Sequence, residues 1–79
     1  MTVHAESRFA ADGHIVSNPA ILGGHPVFAG TRVPVATLFE YLADGLALDY
    51  FLESFPSVSR EQASAALHYG LRHIERELG

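Results

Sequence analysis

Apolar residues recur at helical spacing in three stretches of the chain. In the first, Val35, Leu38, Phe39 and Leu42 follow one another at i, i+3, i+4 and i+7. Residues 48–55 repeat that spacing. The third stretch places the following on one face: Ala63, Leu67, Gly70, Leu71, Ile74 and Leu78. The pattern predicts helices over residues 34–44, 48–55 and 60–77.

The residues at the ends of these stretches support the same boundaries. Pro34 fits the first position of a helix, where its missing N–H would have no partner. Gly45 can adopt the left-handed backbone conformation that ends a helix, and Pro56 must end the second helix. Ser59 and Gln62 have the spacing of a capping box at the start of the third helix. Gly70 within that helix allows either close approach of a neighbouring helix or a break.

The N-terminal third has the short apolar runs and turn residues of β-structure. Residues 8–10 and 14–17 flank an Asp-Gly turn at residues 11–13, which predicts a small hairpin. Asn18-Pro19 marks a second turn, and Val27-Phe28 forms a short β-prone run. Together with the helical stretches, these signals predict a mainly α protein. The predicted architecture is a three-helix bundle in the helix-turn-helix layout, preceded by a short β-hairpin. Residues 1–13 would form an N-terminal arm that supplies one hairpin strand, and residues 14–79 a single domain.

A junction rich in glycine and proline joins the predicted strand to the first helix. Its structural residues are Gly23, Gly24, Pro26, Gly30, Thr31, Arg32 and Pro34. The glycines permit positive φ, and each proline restricts the residue before it. Arg32 has two interpretations: it bonds backbone carbonyls or Glu40 within the junction, or it pairs with a partner's carboxylate or a DNA phosphate.

Three motifs stand out from Ile15 onward: I-x-x-N-P at 15–19, G-G-x-P-x-x-x-G-T-R-V-P-V at 23–35 and Phe55-Pro56. In these motifs the chain resembles the domain-of-unknown-function family numbered 433, small prokaryotic proteins assigned as VapB-type antitoxins of toxin–antitoxin pairs. The resemblance covers about residues 14–71. The resemblance implies a homeodomain-like fold. It also implies a cognate toxin, a PIN-like nuclease whose acidic residues hold a divalent metal, and operator binding by the complex.

Composition favours self-association. A chain of 79 residues buries only about 60–65% of its unfolded surface, so its core is small. With 48% apolar and 18% charged residues, some apolar surface is expected to face another chain, which predicts a homodimer. The chain has no cysteine, and its apolar runs are shorter than a membrane span. A cytoplasmic protein without membrane contact is the expectation.

The charge distribution argues against a strong nucleic-acid interface. The first 33 residues balance, whereas the helical part carries the whole net charge of −4. DNA-binding proteins usually present a basic stripe, and none is visible. In a helix-turn-helix layout, the DNA-facing residues of the third helix would be Arg60, Ser64 and His68, accompanied by Glu61.

Function is therefore expected to lie in protein–protein contact. As the resemblance implies, the leading hypothesis is an antitoxin that inhibits its nuclease toxin. Tyr41, Tyr50 and Tyr69 are candidate anchors because tyrosines are enriched in interfaces. The same tyrosines would equally complete a homodimer. Two alternatives are a dimeric DNA-binding repressor and a structural dimerisation module that binds neither toxin nor DNA.

No catalytic or cofactor motif is evident. The sequence shows neither a phosphate loop nor a nucleophile elbow, so an enzyme, a small-molecule substrate and a cofactor are not expected. His68 and His73 are five residues apart, which places them on poorly matched helix faces for a metal.

Overall fold

A computed structural model describes residues 6–79. The chain begins with three short antiparallel strands in the order β1-β2-β3: β1 (Arg8–Ala10), β2 (Ile15–Ser17) and β3 (Val27–Phe28). In the register of the sheet Phe9 is opposite Val16, and Val16 is opposite Val27. The predicted hairpin is confirmed. Its turn closes through the Gly13 amide, which donates to the Ala10 carbonyl at 3.1 Å.

The prediction of a mainly α three-helix bundle is wrong. β3 does not stand alone before the helices but pairs with β2, so the domain combines a three-stranded sheet with three helices. The sheet also supplies core side chains, since Val27 and Phe28 are completely buried and Ile15 nearly so. β3 has two residues, too few to show an alternating pattern in the sequence.

The helices are α1 (Val35–Ala43), α2 (Leu48–Ser54) and α3 (Arg60–Leu78), close to their predicted bounds. Pro34 precedes the first turn of α1 in an extended conformation, one position earlier than predicted. Gly45 has a φ of 85°, as its predicted role as a left-handed stop requires. The capping box is confirmed: the Gln62 amide donates to the Ser59 hydroxyl and the Ser59 amide to the Gln62 side chain, both at 3.0 Å.

The core lies where the sheet meets α1, α2 and the first half of α3. Its largest fully buried side chains are Phe28, Leu38, Phe51 and Val27. Phe28, Tyr41, Tyr50, Phe51 and Phe55 form a connected set of ring contacts, here called the aromatic cluster. α3 enters this core with small residues, Ala63 and Ala66, which are both almost fully buried.

The second half of α3 projects from the body. Every residue from 71 to 79 is exposed, although the apolar periodicity continues to Leu78. α3 is therefore about 28 Å long but packs on the core along little more than its first half. None of the helices in residues 6–79 has the length and apolarity needed to cross a lipid bilayer.

The predicted N-terminal arm divides into two parts. Residues 1–5, including His4, lie outside the described residues. Residues 8–13 form β1 and its turn to β2, the hairpin strand that this segment was expected to supply.

Candidate functional site

An open groove with a volume of about 1020 Å³ lies between the sheet, the start of α1 and the middle of α3. Phe9 of β1 stands on one side and Phe39 of α1 on another, while Tyr69 of α3 completes the aromatic lining. Leu22, from the loop between β2 and β3, adds a fourth large apolar side chain. We call Phe9, Phe39 and Tyr69 the groove aromatics.

The four large side chains remain substantially exposed. Phe9 is 65% exposed, and Leu22, Phe39 and Tyr69 are each 41–43% exposed. Single exposed apolar residues are common on protein surfaces, but several around one concave surface mark an interaction site. The groove is therefore the strongest candidate functional site in residues 6–79.

A glycine brings two walls of the groove together. An added Cβ at Gly70 would lie 3.3 Å from Cζ of Phe39, which is tighter than ordinary van der Waals contact. The predicted close approach at Gly70 is therefore confirmed, and α3 continues through it without a break. A side chain at this position would press the Phe39 ring into the groove.

The polar residues of the groove carry positive or neutral charge. Arg8, His25 and His73 contribute to its lining, and no acidic side chain does so among the described residues. A smaller depression beside it contains Arg72 and Arg76 together with one acid, Asp12. This part of the surface contrasts with the chain as a whole, whose net charge is −4. The groove is suited to an apolar ligand that also carries carboxylates.

The predicted junction forms the support of the groove. Gly23, Gly24 and Gly30 all have positive φ, between 65° and 92°. The Val35 amide donates to the Pro26 carbonyl at 3.0 Å. Pro26 and Pro34 both line the groove.

Thr31, rather than Arg32, makes the side-chain bonds of the junction. Its hydroxyl donates to the Phe28 carbonyl at 2.8 Å and accepts from the Val33 amide at 3.0 Å. Arg32 is exposed and makes no hydrogen bond or ion pair with another residue of the described chain. The bonds that close this turn therefore do not involve the guanidinium group.

The three tyrosines predicted as anchors lie in two different places. Tyr41 and Tyr50 belong to the aromatic cluster, and their rings stack with centroids 5.9 Å apart. Tyr69 lines the groove. Only one of the three thus contributes to the candidate site.

The residues expected to face DNA are also separated. Arg60 forms an exposed ion pair with Asp49 of α2. Ser64 and His68 line a small depression that also contains two acids, Asp12 and Glu61. The carboxylates beside these residues offset the positive charge that phosphate binding requires. Within residues 6–79 no three histidine or acidic side chains converge to hold a metal ion.

Sequence reasoning missed most of the groove. Phe9 and His25 had no assigned role, His73 was considered only as a metal ligand, and Phe39 was expected in the core because it lies on the apolar stripe of α1. Two sequence signals pointed to this surface: the high apolar fraction of a small chain, and Tyr69 as a candidate anchor. The position of the groove depends on long-range contacts such as that between the Phe39 ring and Gly70.

Known proteins share this sequence and fold. Residues 15–70 match the family described as "Protein of unknown function (DUF433)". The uncharacterized protein y4eO of Sinorhizobium fredii (strain NBRC 101917 / NGR234) is 42% identical over 60 residues, which are 76% of this chain and 27% of that protein. The crystal structure of a DUF433 member protein from Anabaena variabilis ATCC 29413 is similar with a TM-score of 0.68 and 33% identity. That match covers 80% of this chain and 62% of the other.

This chain therefore spans about a quarter of the length of y4eO and less than two thirds of the Anabaena protein. Its first motif and the glycine-rich junction both fall inside the matched residues. The chain belongs to the DUF433 family.

Proposed function

We propose that this protein binds a partner protein through the groove and acts as an antitoxin. The partner is a cognate toxin encoded by the adjacent gene, a PIN-like nuclease, as the resemblance to VapB-type antitoxins implies. The observation that carries the proposal is the set of exposed apolar side chains around one concave surface, three of them aromatic. These side chains would contribute most of the binding free energy.

Burial of these side chains gives the groove its affinity. Aromatic residues in the centre of an interface dominate alanine scans because they lose water over a large area. Phe39 and Tyr69 would gain from this burial, since 41% and 42% of their surfaces are still exposed in the free protein. The preferred ligand is a segment that presents apolar side chains to Phe9, Phe39 and Tyr69.

The positive and neutral polar residues of the groove favour an acidic partner. Arg8 lies next to Phe9 in the groove lining, and its guanidinium group matches a carboxylate in a two-bond geometry. A nuclease that holds its metal with acidic residues carries carboxylates close to the surface that an inhibitor must cover. Binding there would occupy those carboxylates and exclude the nucleic-acid substrate.

Protein binding is favoured over direct DNA binding by the isolated chain. Arg60 at the start of α3 is paired with Asp49, and Glu61 follows it in the first helical turn. A helix N-terminus attracts phosphates only when such acids do not repel them. Operator binding would therefore depend on charges that the toxin contributes to the complex.

The test is coexpression of this protein with the product of the adjacent gene, followed by copurification and a nuclease assay. We expect a stable complex and loss of nuclease activity. Tyr69→Ser should weaken binding by more than about tenfold, because truncating an aromatic anchor of an interface costs about 2 kcal/mol. Tyr50→Ser is the matched control, since Tyr50 is 52% exposed but lies outside the groove.

Two results would overturn the proposal. Failure of the two wild-type proteins to copurify would remove the antitoxin function. Copurification that Tyr50→Ser abolishes and Tyr69→Ser leaves intact would move the binding surface from the groove to the aromatic cluster. A gel-shift assay with the promoter region, run on the isolated protein and on the complex, separates repression from toxin binding.

A further inference from the structure

The projecting half of α3 carries an apolar row of its own. Leu67, Leu71, Ile74 and Leu78 are spaced by four, three and four residues, the a and d spacing of a heptad repeat. We call these four residues the α3 seam. Leu71, Ile74 and Leu78 are 50%, 56% and 85% exposed, while Leu67 is half-buried at the margin of the core. None of the four lines the groove.

The exposed leucines are not explained by packing within the chain. α3 packs into the core of the domain through Ala63 and Ala66, and the helix continues for more than two turns beyond Gly70. An exposed helix favours polar residues on all faces unless one face contacts another element. A heptad seam is self-complementary, because its side chains fit between those of an identical helix.

We infer that the α3 seam pairs with the seam of a second copy of this chain in an antiparallel arrangement. In that arrangement Leu71 of one copy lies against Ile74 of the other, and Leu67 lies against Leu78. Each contact occurs twice about a two-fold axis, as a symmetric dimer requires. The overlap covers residues 67–78, about 17 Å of each helix.

Charge complementarity selects the antiparallel orientation. Glu75 and Glu77 flank the seam on its two sides near the end of α3, whereas His68 and Gly70 flank it one heptad earlier. Antiparallel helices place each Glu75 beside His68 of the other copy, where the imidazole can donate a hydrogen bond to the carboxylate. Parallel helices would gather four carboxylates at one end, which like-charge repulsion disfavours. The helix dipoles also oppose each other favourably only in the antiparallel pair.

The seam is short, so the dimer should be weak and reversible. Sedimentation velocity on the wild-type protein from about 5 to 500 µM should show a monomer–dimer equilibrium. Ile74→Glu should raise the dimer Kd at least about tenfold, since it places a charge in the centre of the seam. Leu46→Glu is the matched control, because Leu46 is 40% exposed but lies between α1 and α2. Circular dichroism checks that both variants are folded.

The orientation is tested separately with spin labels, because the chain has no cysteine of its own. A label on Glu61→Cys reports the distance between the exposed first turns of the two α3 helices. The antiparallel dimer separates these positions by about 35 Å along the helix axis, whereas a parallel dimer keeps them at the same height. A monomeric wild-type protein at 500 µM, a dimer unaffected by Ile74→Glu, or a label distance of about 20 Å would each overturn the inference.

Discussion

The aromatic cluster and the groove aromatics use the same kinds of side chain in different ways. All eight phenylalanines and tyrosines of the chain belong to one set or the other. In the aromatic cluster each ring contacts at least one other ring, with centroids 5.1–6.2 Å apart. Phe9, Phe39 and Tyr69 line one groove, and the described residues show no ring pair between them.

The difference separates folding from binding. Rings of the aromatic cluster gain both burial and edge or stacking contacts when the chain folds. The groove aromatics obtain only part of that gain, so much of their apolar surface remains to be covered by a partner. Substitutions in the two sets should therefore change different measurements.

Truncation at the centre of the aromatic cluster should have the largest effect on stability. Phe51 is fully buried and contacts the rings of Phe28, Tyr41 and Phe55. Phe51→Ala should cost about 3–5 kcal/mol. A domain of this size has about 4–12 kcal/mol in total, so the variant should lose a large share of its stability in urea denaturation followed by circular dichroism. Phe39→Ala is the control from the groove and should remain folded.

The edge of the aromatic cluster should give a smaller loss of stability. Tyr50 stacks on Tyr41 but is 52% exposed. Tyr50→Ser should lower the free energy of unfolding by about 1 kcal/mol. The variant loses the ring contact with Tyr41 and the burial of about half of the Tyr50 side chain. Urea denaturation measures this change. No loss of stability would show that the observed stacking contributes nothing in solution.

Gly70→Ala should change folding and binding in opposite directions. Alanine is favoured over glycine inside a helix by about 1 kcal/mol, and the half-exposed Phe39 ring can move away from the new methyl group. The free energy of unfolding should therefore rise by about 0.5–1 kcal/mol. The displaced ring narrows the groove, so affinity for the partner should fall. Lower stability together with unchanged binding would contradict this account of Gly70.

The smallest effect is expected at the ion pair between α2 and α3. The side chains of Arg60 and Asp49 are 64% and 72% exposed, so water and salt screen their attraction. Asp49→Asn should lower stability by less than about 0.5 kcal/mol in thermal denaturation, with no effect on the aromatic cluster. A loss of more than about 1 kcal/mol would mean that the pair positions α3 against the core.

The sequence predicted local structure better than long-range structure. Ser59, Gln62 and Gly45 act within a few residues of their own positions, so the helix ends they mark could be derived from spacing. The pairing of β3 with β2 depends on a two-residue strand and a loop of nine residues between them. Nothing in the local pattern of Val27 and Phe28 shows which strand they join.

The groove could not be predicted because helical periodicity does not report how far a core extends. Phe39 and Leu78 both lie on apolar stripes, yet both are exposed. Ala66 was not on the predicted apolar face of α3, yet it is buried. Which side chains are covered depends on long-range contacts such as that between the Phe39 ring and Gly70, which helical spacing does not encode.

Hydrogen–deuterium exchange of this protein with and without the copurified product of the adjacent gene tests the central claim most directly. Binding through the groove predicts new protection at residues 8–10, at the start of α1 and at residues 66–73. Exchange at residues 48–55, which contain three rings of the aromatic cluster, should be unchanged. Protection confined to residues 48–55, or an unchanged pattern in a complex that inhibits the nuclease, would show that the groove is not the partner-binding surface.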